Sequence, residues 1–199
     1  SRPMTSELEA SLNMACQHLE NAEPRVIGPS RSQKPVLVFC DGACEGEVVT
    51  LGGVIVTPQG VLECFGAQAA PSLVEKWKTR KGQSQVIGQA ELFPIWVARL
   101  TWAKYLKGQR VIYFVDNEAA RLGLIKTYSP ILPSLSIILE CTAWDFSNGS
   151  WPWYARVPTA ANCSDGPSRM SKLSVPSFLG SVVVPPVFPA GESPIRVFE

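Results

Sequence analysis

Two short apolar runs, VLVFC at residues 36–40 and VIYFV at 111–115, each deliver the chain onto an aspartate, Asp41 and Asp116. No other feature restricts the fold as tightly. A run of five apolar residues bounded by turn-formers reads as a strand buried in a sheet. Asp41 is followed at once by Gly42, and Asp-Gly alone implies nothing more than a turn. A second aspartate at the same place on a second strand implies more. In an α/β sheet the strand ends converge on one rim, where sites are built. Adjacent strands would set the two carboxylates a few ångströms apart, and charges so placed must be neutralised by a proton or a cation.

The rest of the chain supplies a sheet and helices around these runs. Residues 5–21 carry Leu8, Leu12, Ala15, Cys16 and Leu19 on one helical face. EPRVIGPSRSQKP, residues 23–35, reads as a linker. Residues 47–67 hold two strands joined by the turn TPQG, with a glycine pair inside the first, so three strands in a row form an antiparallel meander. Residues 86–106 repeat at helical spacing, with Glu91, Ile95, Ala98 and Trp102 on one side. Pro94 there requires a kink, or a helix that begins just before it. A strand at 110–116, a helix at 117–128, another within 129–146, a strand at 152–158 and a short helix within 164–173 follow. Five prolines (Pro176, Pro185, Pro186, Pro189, Pro194) break up the apolar tail, which reads as an extended segment lying on the domain or reaching for a neighbour. The expected organisation is a helix and linker over 1–34, an α/β domain over 35–173 and a proline-rich tail over 174–199.

Composition narrows the function classes. Eighteen Lys and Arg against 17 Asp and Glu leave a net charge of +1, so there is no overall basic field and a polyanion would have to be met locally. The densest basic run is Lys76, Lys78, Arg80 and Lys81, interleaved with Trp77; it is either a solvated loop or a phosphate contact. Six scattered cysteines without a CxxC pair, and His18 as the one histidine, argue against zinc. They fit a reduced, intracellular setting and not a secreted one. No apolar stretch reaches the roughly 18 residues of a membrane span, and the N-terminus lacks a signal-peptide core. The abrupt opening SRPMTSELEA suggests a piece cut from something larger.

Two further acids complete a set, Glu91 on the long helix and Asp165 at the start of the last one. Each has a bland alternative: a solvated helix edge for Glu91, a helix cap for Asp116, a cap-and-turn string for Asp165. Taken together, several hard oxygen ligands favour Mg²⁺ or Mn²⁺. Two such ions about 4 Å apart can activate a water and stabilise the leaving oxygen of a displacement at phosphorus.

VLVFCDGAC, GQAELFPIW, VIYFVDNEAA and NCSDGPSR resemble the Asp-Glu-Asp-Asp set of the ribonuclease H family, in the family's order. ANCSDGPSR is similar to the Asn-x-x-Asp-x-x-Ser-Arg ending of long-terminal-repeat and related retrotransposons, whose ribonuclease H domain follows a reverse transcriptase. The resemblance spans residues 36–172. It implies a five-stranded mixed sheet, three antiparallel strands then two parallel, flanked by helices. It also implies metal-dependent endonucleolytic cleavage of the RNA strand of an RNA–DNA hybrid, with Asp41, Glu91, Asp116 and Asp165 as catalytic metal ligands for two Mg²⁺ ions, or Mn²⁺. Gly42 and Ala43 would let the hybrid backbone approach, and Asn117 and Asn162 would be polar contacts at the rim. An attached reverse transcriptase is the implied partner, with the N-terminal helix and linker as its tail.

Two departures stand out. The loop before the last acid, VPTAAN, lacks the histidine that many members carry there, and residues 122–146 hold one basic residue, Lys126, where some cellular members have a basic handle. Two alternatives remain. An integrase or transposase core would place its glutamate after Asp116, where Glu140 is the only late candidate. An inactive ribonuclease H-like module would serve structure or protein binding, against which stands the repulsion of an unused carboxylate cluster.

Overall fold

The computed structural model describes residues 4–21, 34–78, 86–170 and 180–197. An N-terminal helix, α1 (Ser6–Asn21), precedes an antiparallel meander of β1 (Val36–Glu45), β2 (Val48–Val56) and β3 (Leu62–Ala69). Helices α2 (Pro71–Trp77), α3 (Ile87–Thr101) and α4 (Ala103–Leu106) lead to β4 (Arg110–Val115). Then come α5 (Glu118–Lys126), α6 (Leu132–Ser147), β5 (Trp151–Arg156) and the single turn α7 (Asp165–Ser168). β4 joins β1 in parallel and β5 joins β4 in parallel, so the expected mixed sheet is present, with β1 at its centre.

The sheet is wider than the five strands expected. The proline-rich tail adds β6 (Val182–Val183) and β7 (Pro194–Val197), parallel and antiparallel respectively, to the outer edge of β3. An open edge presents unpaired N–H and C=O groups that a covering segment satisfies. The tail is thus bound to the domain, and Phe188 meets the Phe93 ring edge-on with centroids 5.5 Å apart. Proline spacing hid these strands because Pro194 occupies a strand's first position, where it is tolerated.

The strand expected to stop at Asp41 continues to Glu45. β2 keeps pairing with it, Asp41 facing Gly52, and the chain reverses only at Gly46, whose φ of +63° suits glycine. Asp41-Gly42 is therefore mid-strand and not a turn. Along β1 and β4, Val36, Val38, Cys40, Val111, Tyr113 and Val115 are buried beneath the helices, while Leu37, Phe39, Ile112 and Phe114 alternate onto a half-buried face. There Phe39 and Phe114 stack at 4.4 Å.

The long helix passes through Pro94 without starting there, and it ends earlier than expected, at Thr101, with Trp102 between α3 and α4. Every residue from Gln89 to Arg99 is buried, because α3 lies on β1 and β2 while α6 covers its other side. Arg99 is held inside by Asp145 of α6, at 2.7 Å, and by the Tyr154 hydroxyl at 2.8 Å. Leu8, Leu12 and Leu19 of α1 stay exposed, so that expected apolar face is not buried by described residues. Among the described residues no helix is long and apolar enough to cross a membrane.

Candidate metal centre

The parallel register sets the two aspartates level. The last paired residues of β1 and β4 are Phe39 and Phe114, and Asp41 and Asp116 each lie two residues further on. Glu91 arrives from α3. One oxygen from each of the three carboxylates lies within 4.8 Å of the other two.

What brings Glu91 so near is a glycine. A Cβ on Gly42 would stand 2.0 Å from the Ala90 carbonyl oxygen and 3.0 Å from the Glu91 nitrogen, so only glycine lets α3 press this closely onto β1. Pro94 contributes from the helix side. It has no N–H to give to the carbonyl four residues back. That carbonyl is Ala90's, the one that lies against Gly42. The space beside Gly42 where a side chain would lie is taken up by the protein's own helix.

Burial defines the electrostatics. Asp41 and Glu91 are 6% and 9% exposed. Burial, then the charges of Asp41 and Asp116, push the Glu91 carboxyl up to about 8, opposed by hydrogen bonds from the Gly42 backbone and the Asn117 side chain. Burial likewise raises Asp41 to about 6; the Ser168 hydroxyl opposes this, and Asp116 and Asp165 add to it. Glu91 Oε2 and Asp116 Oδ1 are buried without a hydrogen-bond partner. Orphaned buried oxygens carry a desolvation cost of about 1–3 kcal/mol each. A divalent cation would satisfy both, and three hard oxygen donors suit Mg²⁺ or Mn²⁺.

The fourth acid stands apart. Asp165 opens α7 and accepts from Arg169 Nε at 2.9 Å, half-exposed and outside the three-carboxylate group. α7 itself is docked against β2 at the glycine pair: a Cβ on Gly52 would lie 2.3 Å from the Ser168 nitrogen. Gly52 is the cross-strand partner of Asp41. From that position the buried Ser168 hydroxyl donates to Asp41 Oδ2.

The remaining candidates are placed as follows in the fold. Asn117 caps α5 by accepting from the Ala120 N–H at 3.0 Å, and its side chain also reaches Glu91. Asn162 is buried and is not a rim contact. Its amide donates to the Cys40 carbonyl at 3.2 Å, and its oxygen accepts from the Ser164 hydroxyl at 2.6 Å. Ala43 is half-buried in β1 opposite Thr50. Of the basic run, Lys76 pairs with Glu192 of the tail at 2.5 Å, and Lys78 with Glu75 and Glu47. Arg80 and Lys81 lie outside the described residues. Glu140 is exposed on α6, in a groove shared with Trp77 and Pro189, and does not join the acids. Ser168 and Gly52 received no role from sequence, although both lay in noted strings, the Ser-Arg ending and the glycine pair.

No protein-family model and no curated protein matches the chain. Solved structures do. Ribonuclease H1 of the halophilic archaeon Halobacterium salinarum is 18% identical with a TM-score of 0.53, over 68% of this chain and 96% of that one. The N-terminal ribonuclease H domain of a Mycobacterium tuberculosis protein is 14% identical, TM-score 0.45, over 72% and 96%. A compost-derived ribonuclease H1, solved in complex with an RNA/DNA hybrid, is 12% identical, TM-score 0.48, over 68% and 95%. The likeness to the archaeal structure, with the mixed sheet and its strand order, gives this chain the ribonuclease H fold.

Proposed function

We propose that the chain is a metal-dependent endonuclease that cleaves the RNA strand of RNA–DNA hybrids. The observation that carries this reading is the convergence of Asp41, Glu91 and Asp116, with buried oxygens of Glu91 and Asp116 left without partners. Unneutralised, such a group destabilises the fold it sits in. Its presence therefore argues for a ligand and against an inert scaffold. The integrase reading needs a late glutamate, and Glu140 is in the wrong place for it.

In this reading Asp41, Glu91 and Asp116 hold a divalent cation, Mg²⁺ or Mn²⁺. Bound there, the ion supplies positive charge against a phosphate and lowers the pKa of a water. The Gly42 N–H and the Asn117 side chain orient Glu91. Asp165, whose carboxylate accepts from Arg169 Nε, is the acid that would be available to a second ion. The loop of residues 157–162 holds no titratable side chain, so the protein moves no proton from there. Phosphate contacts fall to Asn117 and, on sequence grounds, to Arg80 and Lys81. The setting beside a reverse transcriptase, and an intracellular one, rest on the motif resemblance and the cysteine usage alone.

The test is cleavage of an end-labelled RNA–DNA hybrid with Mg²⁺ or Mn²⁺, comparing the chain with Asp116→Asn. Cutting of hybrid RNA, but not of duplex DNA or single strands, is expected. The substitution should lower it at least about 100-fold, the scale on which charge stabilisation of a transition state operates. Cutting that persists without metal, or in the variant, would sink the reading.

A further inference from the structure

We infer that Ser168 is a positioning residue for the metal centre, fixing the carboxylate of Asp41 from the opposite side of the site to Glu91; the inference rests on the nuclease reading above. Ser168 is fully buried, and its hydroxyl donates to Asp41 Oδ2. A serine in a helical turn has an ordinary acceptor close by, the carbonyl three residues back. Here that is the Asp165 carbonyl, 2.9 Å away, but the hydroxyl has one proton, and the carboxylate 127 positions earlier in the chain is the stronger acceptor for it.

The surrounding structure is arranged around that contact. Gly52 faces Asp41 across the ladder, and its missing side chain is what admits the Ser168 backbone. Asn162 anchors the same segment one residue away, donating to the Cys40 carbonyl while holding Ser164 through its oxygen. Two successive residues of β1 are thus tied to residues 162–168, Cys40 by its backbone and Asp41 by its side chain. An aspartate left free would sample several rotamers. This one is held with one oxygen already engaged, which limits how it can meet an ion. Partners of ligating carboxylates act in this way, and their loss costs about 10- to 100-fold in metal affinity. Because Ser168 and Asp165 share α7, the contact also couples the fourth acid to the other three.

The test uses the full chain, with Mn²⁺ binding read by titration calorimetry and electron paramagnetic resonance, and thermal melting with and without Mn²⁺. Ser168→Ala removes the hydroxyl and Ser168→Thr keeps one. We expect Ser168→Ala to stay folded, to bind Mn²⁺ about 10- to 100-fold more weakly, and to lose most of the metal-induced rise in melting midpoint, with Ser168→Thr closer to wild type. Equal affinity in wild type and Ser168→Ala overturns the proposal, as does equal loss in both variants. So does an alanine variant that fails to fold while threonine folds, since Ser168 would then be a packing residue. A wild-type chain that binds no Mn²⁺ fails the nuclease reading instead, a result distinct from all of these.

Discussion

At the scale of single residues, the site is a set of acids placed where their charge is costly. Glu91 titrates near 8 and Asp41 near 6 when no cation is present, mainly because both are buried. Each is raised above its unfolded value, so the folded chain holds more protons than the unfolded one between those limits. Stability from these groups is therefore complete at low pH and falls as pH rises, from about 4 to 6 for Asp41 and from about 4.5 to 8 for Glu91. We expect the chelator-treated protein to melt at lower temperature at pH 8.5 than at pH 5.5, and Glu91→Gln to flatten much of that slope. Added Mg²⁺ should raise the midpoint more at pH 8.5, where the ligands are ionised. Melting scans across pH, with and without metal, measure both slopes; a Glu91→Gln slope equal to that of wild type would refute the assignment. The acids themselves were legible, because apolar runs ending in aspartate are visible in a string of letters. Their depth was not, since burial depends on what packs over them.

At the scale of elements, the site depends on how closely α3 lies on β1. Gly42 and Ala90 are 48 positions apart, so no local pattern announces that they touch. Sequence named Gly42 for the approach of a hybrid backbone, and it did not foresee that α3 packs against the same glycine. Pro94 read as a helix problem, and it is the residue that gives no N–H to the Ala90 carbonyl facing Gly42. The elements legible from sequence were those with strong local periodicity: the meander, the β4 strand, α5 and α6. The tail strands β6 and β7 were not, because two- and four-residue strands among prolines take their identity from the β3 edge. Gly42→Ala tests the docking directly. A methyl 2.0 Å from the Ala90 oxygen cannot be absorbed by a flexible side chain, because both contacts are backbone. Overpacking of this kind costs about 1–3 kcal/mol. A shift of Glu91 by about 1 Å should lower the cleavage rate about 100-fold. Denaturant unfolding and hybrid cleavage give the two numbers, and a variant as stable and as active as wild type would show that α3 can retreat freely.

At the scale of the whole molecule, the sheet that carries Asp41 and Asp116 and the helix that carries Glu91 must be held in one frame. Arg99 is the device that ties them. It lies two turns beyond Glu91 on α3 and is completely buried. Its guanidinium reaches Asp145 of α6 through Nε at 3.1 Å and Nη2 at 2.7 Å, and the Tyr154 hydroxyl of β5 at 2.8 Å, and it rests 4.3 Å from the Tyr113 ring centroid of β4. One side chain thus joins α3, α6, β4 and β5 beneath the site. Charged residues inside helical patterns usually read as solvated, which is why sequence gave Arg99 and Asp145 no part. A buried ion pair adds little net stability over an apolar pair of the same volume, yet removing one partner strands a charge and costs about 3–5 kcal/mol. Arg99→Met should therefore cost about that much in denaturant unfolding, whereas Arg99→Met combined with Asp145→Leu should cost clearly less than the sum of the two single changes. The double variant also separates stability from geometry. If the pair only stabilises, a refolded double variant cuts hybrid at the wild-type rate; if it sets the angle of α3 on the sheet, the rate stays low although stability returns. The second outcome is expected, because the guanidinium bonds β5 and β4 as well as α6, and apolar replacements restore volume without restoring direction.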